Sequence, residues 1–142
     1  MKKQAFTLIE VLIATILVGL AIASLLGANI AFTRANGSGA ELSTAEFLIE
    51  QIRERTTLVT YADLRLSFDD KTYSYPNGPI GSNGEVLNDF ASYSQQITVQ
   101  NVGNVDFQTV VSDGSSNFVR ITAKIFLSGK EISSACWLRA SY

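Results

Sequence analysis

The sequence predicts an α+β fold: a long N-terminal α-helix, apolar in its first half and amphipathic in its second, packed on a C-terminal antiparallel β-meander of about four strands. Three observations predict it. Residues 11–33 carry no charge and no proline. Leu42, Ala45, Ile49 and Ile52 then recur at three- and four-residue steps, the period of one helix face. From Ser94 onward, apolar and polar residues alternate in short runs separated by turn residues, the period of half-buried strands.

The chain has 142 residues, enough for one small domain and an anchor. Only 17% of its residues are charged, because the N-terminal third is almost uncharged. From Val11 to Phe32 the apolar run would form a helix of ~33 Å at ~1.5 Å per residue. That length just spans a ~30 Å hydrocarbon core. Lys2 and Lys3 precede it and favour a cytoplasmic N-terminus, with Arg34 flanking the other end. Glu10 stands at the threshold of this run, where a carboxylate within a bilayer costs ~2.5–3.5 kcal/mol. A bare anchor or secretory signal gains nothing from it. The rival reading is nonetheless a secretory signal with an A-x-A cleavage site at Ala21-Ile22-Ala23, before Ser24.

Within the apolar run, Thr15, Gly19, Ala23, Gly27 and Ala31 are spaced by four, and small residues at that spacing let helices approach closely in lipid. The competing view is that Ala and Gly are simply frequent in membrane helices. Arg34 to Gly39 contains two glycines at which the helix is expected to weaken or bend. The amphipathic stripe of Leu42, Ala45, Leu48, Ile49 and Ile52 follows, with Glu41, Glu46, Glu50 and Arg53 facing elsewhere. Residues 60–92 hold both prolines and are expected to form a connection with little regular structure, apart from a short strand at Lys71–Tyr75. Four further strands are read at Gln95–Val102, Val105–Val111, Phe118–Leu127 and Ile132–Arg139. They are separated by Gly103-Asn104, by Asp113-Gly114-Ser115-Ser116 and by Ser128-Gly129-Lys130.

The composition excludes several chemistries. There is no histidine, so the commonest general base and metal ligand is missing. No Ser-Lys motif, phosphate-cradling Gly-Lys-Ser/Thr loop or dinucleotide fingerprint occurs. No catalytic residue, metal site or cofactor is expected. Asp69-Asp70 is a poor calcium signal without further oxygen ligands, and reads better as a solvated turn. Trp137 and Tyr142 read as packing in preference to a binding platform. The lone Cys136 cannot form an intramolecular disulfide, and the even spacing of Ile132 and Leu138 around it predicts a buried, inert thiol. Arg53 and Arg55 alternate with Glu50 and Glu54, a pattern of a solvated helix face that argues against a nucleic-acid partner.

The run Ala5-Phe6-Thr7-Leu8-Ile9-Glu10-Val11-Leu12-Ile13, behind a short basic leader and ahead of the charge-free stretch, resembles the start of the type IV pilins, the type II secretion pseudopilins and the competence pseudopilins. The resemblance covers residues 1–35. It implies cleavage between Ala5 and Phe6 by a prepilin peptidase, which also methylates the new amine. Ala5 departs from the glycine the family usually has before the cut. It implies, further, that Glu10 meets the Phe6 amine of an adjacent subunit during assembly. Losing residues 1–5 would leave nine basic against thirteen acidic side chains, a net charge of −4.

The domain organisation expected on this basis is a leader at 1–5, a transmembrane and filament-core helix at 6–33, its amphipathic continuation at 34–59, a connecting region at 60–92 and a sheet at 93–142. The implied function is a structural subunit, not an enzyme, of a pilus or pseudopilus. A minor subunit is favoured because the C-terminal disulfide common in major pilins cannot form. The implied partners are other pilin or pseudopilin subunits, the prepilin peptidase/methyltransferase, an inner-membrane assembly platform and, before assembly, the lipid bilayer. The implied location is the bacterial inner membrane and then a filament, with the C-terminal domain extracytoplasmic. The competing class is a membrane-anchored extracytoplasmic binding module that never polymerises.

Overall fold

A 51-residue helix, α1 (Leu8–Leu58), dominates the N-terminal part of the computed structural model, which describes residues 7–74, 76–112 and 114–141. The leader, Ala5, Phe6, Tyr75, Asp113 and Tyr142 lie outside the described residues. The chain divides into two compact units, Met1–Ala40 and Glu41–Tyr142.

In the first unit every described residue from Thr7 to Arg34 is exposed. This is the one helix among the described residues that is long and apolar enough to cross a membrane, with a mean hydropathy of 2.5 in its most apolar window. The helix also continues through Gly37 and Gly39, where nothing beyond the adjoining residues and the helix's own backbone lies within 4 Å of the place a Cβ would occupy. The expected weakening at these glycines does not end it.

In the second unit, α1 contributes Ala45, Leu48, Ile49 and Ile52 to the core, as its 3.6-residue period requires. Leu42 was expected on the same stripe, yet it is 47% exposed, because the core begins one turn later at Ala45. Opposite stands a four-stranded antiparallel sheet in the order β1 (Lys71–Tyr73), β2 (Tyr93–Asn101), β3 (Phe118–Leu127), β4 (Lys130–Ala140). Ile97 and Val99 from β2 and Val119, Ile121, Ala123 and Ile125 from β3 face the core, with their alternate neighbours half-buried on the other face. Ser128 and Gly129, both at positive φ, make the two-residue turn that pairs Leu127 with Lys130.

Three expectations are corrected. The first concerns residues 60–92, which were read as almost structureless but contain a second helix, α2 (Tyr61–Phe68). Thr60 caps it: its hydroxyl accepts from the Asp63 N–H at 3.3 Å and donates to the Asp63 carboxylate at 2.6 Å. Leu64 and Phe68, one turn apart, enter the core. Second, Val105–Val111 is not a strand. Asp106 accepts from the N–H groups of Gln108 and Thr109 and from the Thr109 hydroxyl, closing a local turn in which Phe107 takes φ 54°. One isolated bridge, Val102 to Val110, is all the pairing that remains, and Val105 is 95% exposed. The fourth strand is β1 instead.

Third, Cys136 is exposed, not buried. The pairing of β3 with β4 shifts between Ile125 and Phe126: Phe126 lies opposite Glu131, while Ile125 lies opposite Ser133. Ile132 is therefore the extra residue of a β-bulge. The insertion reverses the phase of the strand, so Ile132 packs against the core but the even-numbered residues after it face outward.

One buried amide ties the layers together. Gln95, fully buried on β2, accepts from the Ile80 N–H at 2.8 Å and donates to the carbonyls of Ile80 at 3.1 Å and Leu48 at 3.3 Å. It joins sheet, connection and helix in a single group.

Candidate functional site

The N-terminus of α1 begins at Thr7, whose carbonyl accepts from the N–H groups of Glu10 at 3.1 Å and Val11 at 3.2 Å. The Glu10 N–H also lies 3.4 Å from Thr7 Oγ1, the arrangement of an N-cap with its third helical residue. Thr7-x-x-Glu10 is the spacing of a capping box, and it places the carboxylate in the first turn, where the unpaired backbone N–H groups favour negative charge. Glu10 is exposed and shares a shallow strip of helix surface with Val11, Ala14, Thr15 and Val18. Sequence reasoning placed Glu10 in the first turn but passed over the cap formed by Thr7.

Thr15, Gly19, Ala23, Gly27 and Ala31 all lie on α1 and all are exposed. Each four-residue step advances ~40° around the axis, so they form a winding stripe. Apart from the adjoining residues and the helix's own backbone, nothing lies within 4 Å of the Cβ positions at Gly19 and Gly27, so a neighbour can approach there. The Thr15 hydroxyl donates to the Leu12 carbonyl at 2.8 Å and is satisfied within the helix. Ala5 and Phe6, the expected processing residues, lie outside the described residues.

The second unit offers a less distinctive surface. One cleft in it, of about 510 Å³, is lined by Thr56, Thr57, Tyr61, Trp137, Leu138, Arg139 and Ala140. Arg139 crosses it to donate to the Thr56 carbonyl. Trp137 is half-buried against the core with the Arg53 guanidinium 5.4 Å from its ring centroid, so its faces are engaged in packing. Asp69 is also occupied: one carboxylate oxygen accepts from the Val99 N–H at 3.0 Å and the other from Arg65 at 3.3 Å. Among the described residues no group of three or more His, Cys, Asp or Glu is placed to hold a metal ion. The concentration of unsatisfied surface thus falls on α1 in the first unit.

Residues 1–26 match the family model described as the prokaryotic N-terminal methylation motif, the prepilin signal of type IV pilins and pseudopilins. The motif supports a pilin-like or pseudopilin structural subunit, and it implies processing by prepilin peptidase and assembly with other such subunits. Together with the long apolar helix it fits a membrane-anchored protein. No curated protein and no solved structure matches the chain.

Proposed function

We propose that this chain is a structural subunit of a type IV pilus or pseudopilus, cleaved between Ala5 and Phe6, methylated on the Phe6 amine and polymerised through α1. The observation that carries the reading is the methylation motif across residues 1–26 with its acid, Glu10, in the first turn of a helix whose next stretch, residues 11–33, is exposed and charge-free. Before assembly the helix spans the inner membrane with its N-terminus in the cytoplasm and the unit 41–142 outside. The inner-membrane platform then lifts it into a filament whose core is the bundled apolar helices.

Glu10 supplies register. Removal of residues 1–5 exposes an amine four residues before Glu10, about one helical turn or ~6 Å along the axis. In the filament core a lone carboxylate would be desolvated without compensation, whereas pairing with the positive amine of a neighbouring subunit restores its partner. Only one axial stagger satisfies that pair. Apolar packing alone is indifferent to many staggers, so the ion pair selects among them.

The test is the variant Glu10→Leu expressed in the native host. Membrane insertion and cleavage should persist, while incorporation into purified surface filaments should fall by about tenfold or more, the cost of ~1.4 kcal/mol or above for an unmade charge-assisted pair. Unchanged incorporation would refute the assignment of Glu10. A wild-type chain found processed in the membrane but never in filaments would favour the tethered binding module.

A further inference from the structure

The first half of α1 carries four polar side chains that neither capping nor cleavage uses, and three of them are satisfied within the helix. Thr15, Ser24 and Thr33 each place a hydroxyl in the apolar segment, and each hydroxyl donates to a carbonyl of its own helix, those of Leu12, Leu20 and Asn29 respectively, at 2.8, 2.8 and 2.9 Å. Asn29 differs. Its exposed side-chain amide makes no hydrogen bond to any described residue. A primary amide has two donors and an acceptor to satisfy, and hydrocarbon satisfies none of them.

The amide also has a distinctive position. Leu8, Val11, Thr15, Val18, Ile22, Leu25, Asn29 and Phe32 follow one another at alternating steps of three and four, the spacing of a continuous heptad seam. Every member is exposed, Leu25 at 65% and Phe32 at 67%. No glycine or alanine falls on the seam, although the segment is rich in both. Leu8, Thr15, Ile22 and Asn29 occupy one of its two repeating positions, and Val11, Val18, Leu25 and Phe32 the other. The β-branched Thr15 and Ile22 and the single Asn29 at the first position, with Leu25 at the second, are features that favour a parallel, in-register pair of helices.

We infer that α1 pairs with a second copy of this chain in the bilayer, parallel and in register, through this seam, with the two Asn29 amides hydrogen-bonded across it. The inference rests on the membrane-spanning reading proposed above. The occupant follows from the chemistry: an amide is complementary to itself, and two copies inserted in the same direction carry it at the same depth. The pair is a membrane-resident form that precedes the staggered contact of Glu10 in the filament.

The full chain can be labelled at Cys136, which is its sole cysteine and is exposed, with donor and acceptor dyes in phosphatidylcholine/phosphatidylglycerol vesicles. Energy transfer between copies then reports association, and flotation with the vesicles reports insertion separately. Asn29→Leu should remain inserted yet associate about threefold to thirtyfold more weakly, the range of interhelical hydrogen bonds in lipid, while Asn29→Gln should stay close to wild type. With Cys136→Ser as background, Ile22→Cys should cross-link between copies and Gly19→Cys should not. Inserted Asn29→Leu protein that associates as wild type does would overturn the pairing. So would cross-linking through Gly19→Cys in place of Ile22→Cys. Failure of the wild-type chain to float with vesicles would instead overturn the membrane-spanning reading itself.

Discussion

Single side chains fix the second unit more firmly than their number suggests. Gln95 is the clearest case, because replacing it by leucine strips the buried Ile80 N–H and carbonyl of their partner. Leaving buried polar groups unmade costs ~1–3 kcal/mol each. Gln95→Leu should therefore lower stability by about 2–4 kcal/mol, read from urea unfolding by the fluorescence of Trp137, and a loss below about 0.5 kcal/mol would contradict this account. Asp106 acts on a smaller scale. Hydrogen bonds from the Thr109 hydroxyl and from the Gln108 and Thr109 N–H groups hold its carboxyl below the ordinary range. A pKa lowered by folding means that the ionised form stabilises the turn; the benefit is present above the unfolded pKa and lost as pH falls through the folded one. The amide shifts of Gln108 and Thr109 should thus hold through the usual carboxylate range and change only below it. Neither role was legible in the sequence, since Gln95 looks like any strand glutamine and Asp106 sits in a run that alternates like a strand.

Elements show where pattern reading succeeds and where it stops. The periodicity of α1 over Ala45–Ile52 and the alternation of β3 were readable because burial on one face imposes a strict period. The segment Val105–Val111 has the same alternation, but the carboxylate of Asp106 offers the backbone a local partner that outcompetes a ladder. Helix α2 left a signal that was passed over: Thr60-x-x-Asp63 ahead of Leu64 and Phe68 is a capping pattern before a helical apolar pair. The bulge at Ile132 left none, because no residue type announces it, and that one inserted residue turned Cys136 outward. A testable consequence follows for the thiol. Cys136 should react with a thiol-directed reagent in the native protein within about tenfold of its rate in the unfolded chain, since exposure governs access. Protection by several orders of magnitude would mean that the phase of β4 is wrong.

At the scale of the molecule the two units divide the work. The described core cluster draws only on residues from Ala45 to Ile125, so residues 41–142 contain the whole of it. A fragment of residues 41–142 should accordingly melt cooperatively in water without detergent, as calorimetry would record. The first unit has the opposite character: its bulky side chains, from Leu8 at 87% exposure to Phe32 at 67%, are too extensive an apolar surface to face water. Lipid or neighbouring helices must cover them. The N-terminal motif was legible because charge is so rare there: one acid against a charge-free run stands out in a sequence. The shape of the second unit depends on hydrogen bonds between distant segments, which no local pattern displays.

The proposed cleavage links the start of α1 to the fate of the whole chain. The most direct measurement is mass spectrometry of the N-terminal peptide of the protein isolated from its native membrane or filaments. The account predicts a chain that begins at Phe6 and carries a methyl group on its amine. A chain that begins at Met1, or at Ser24 after cleavage behind Ala23, would contradict it.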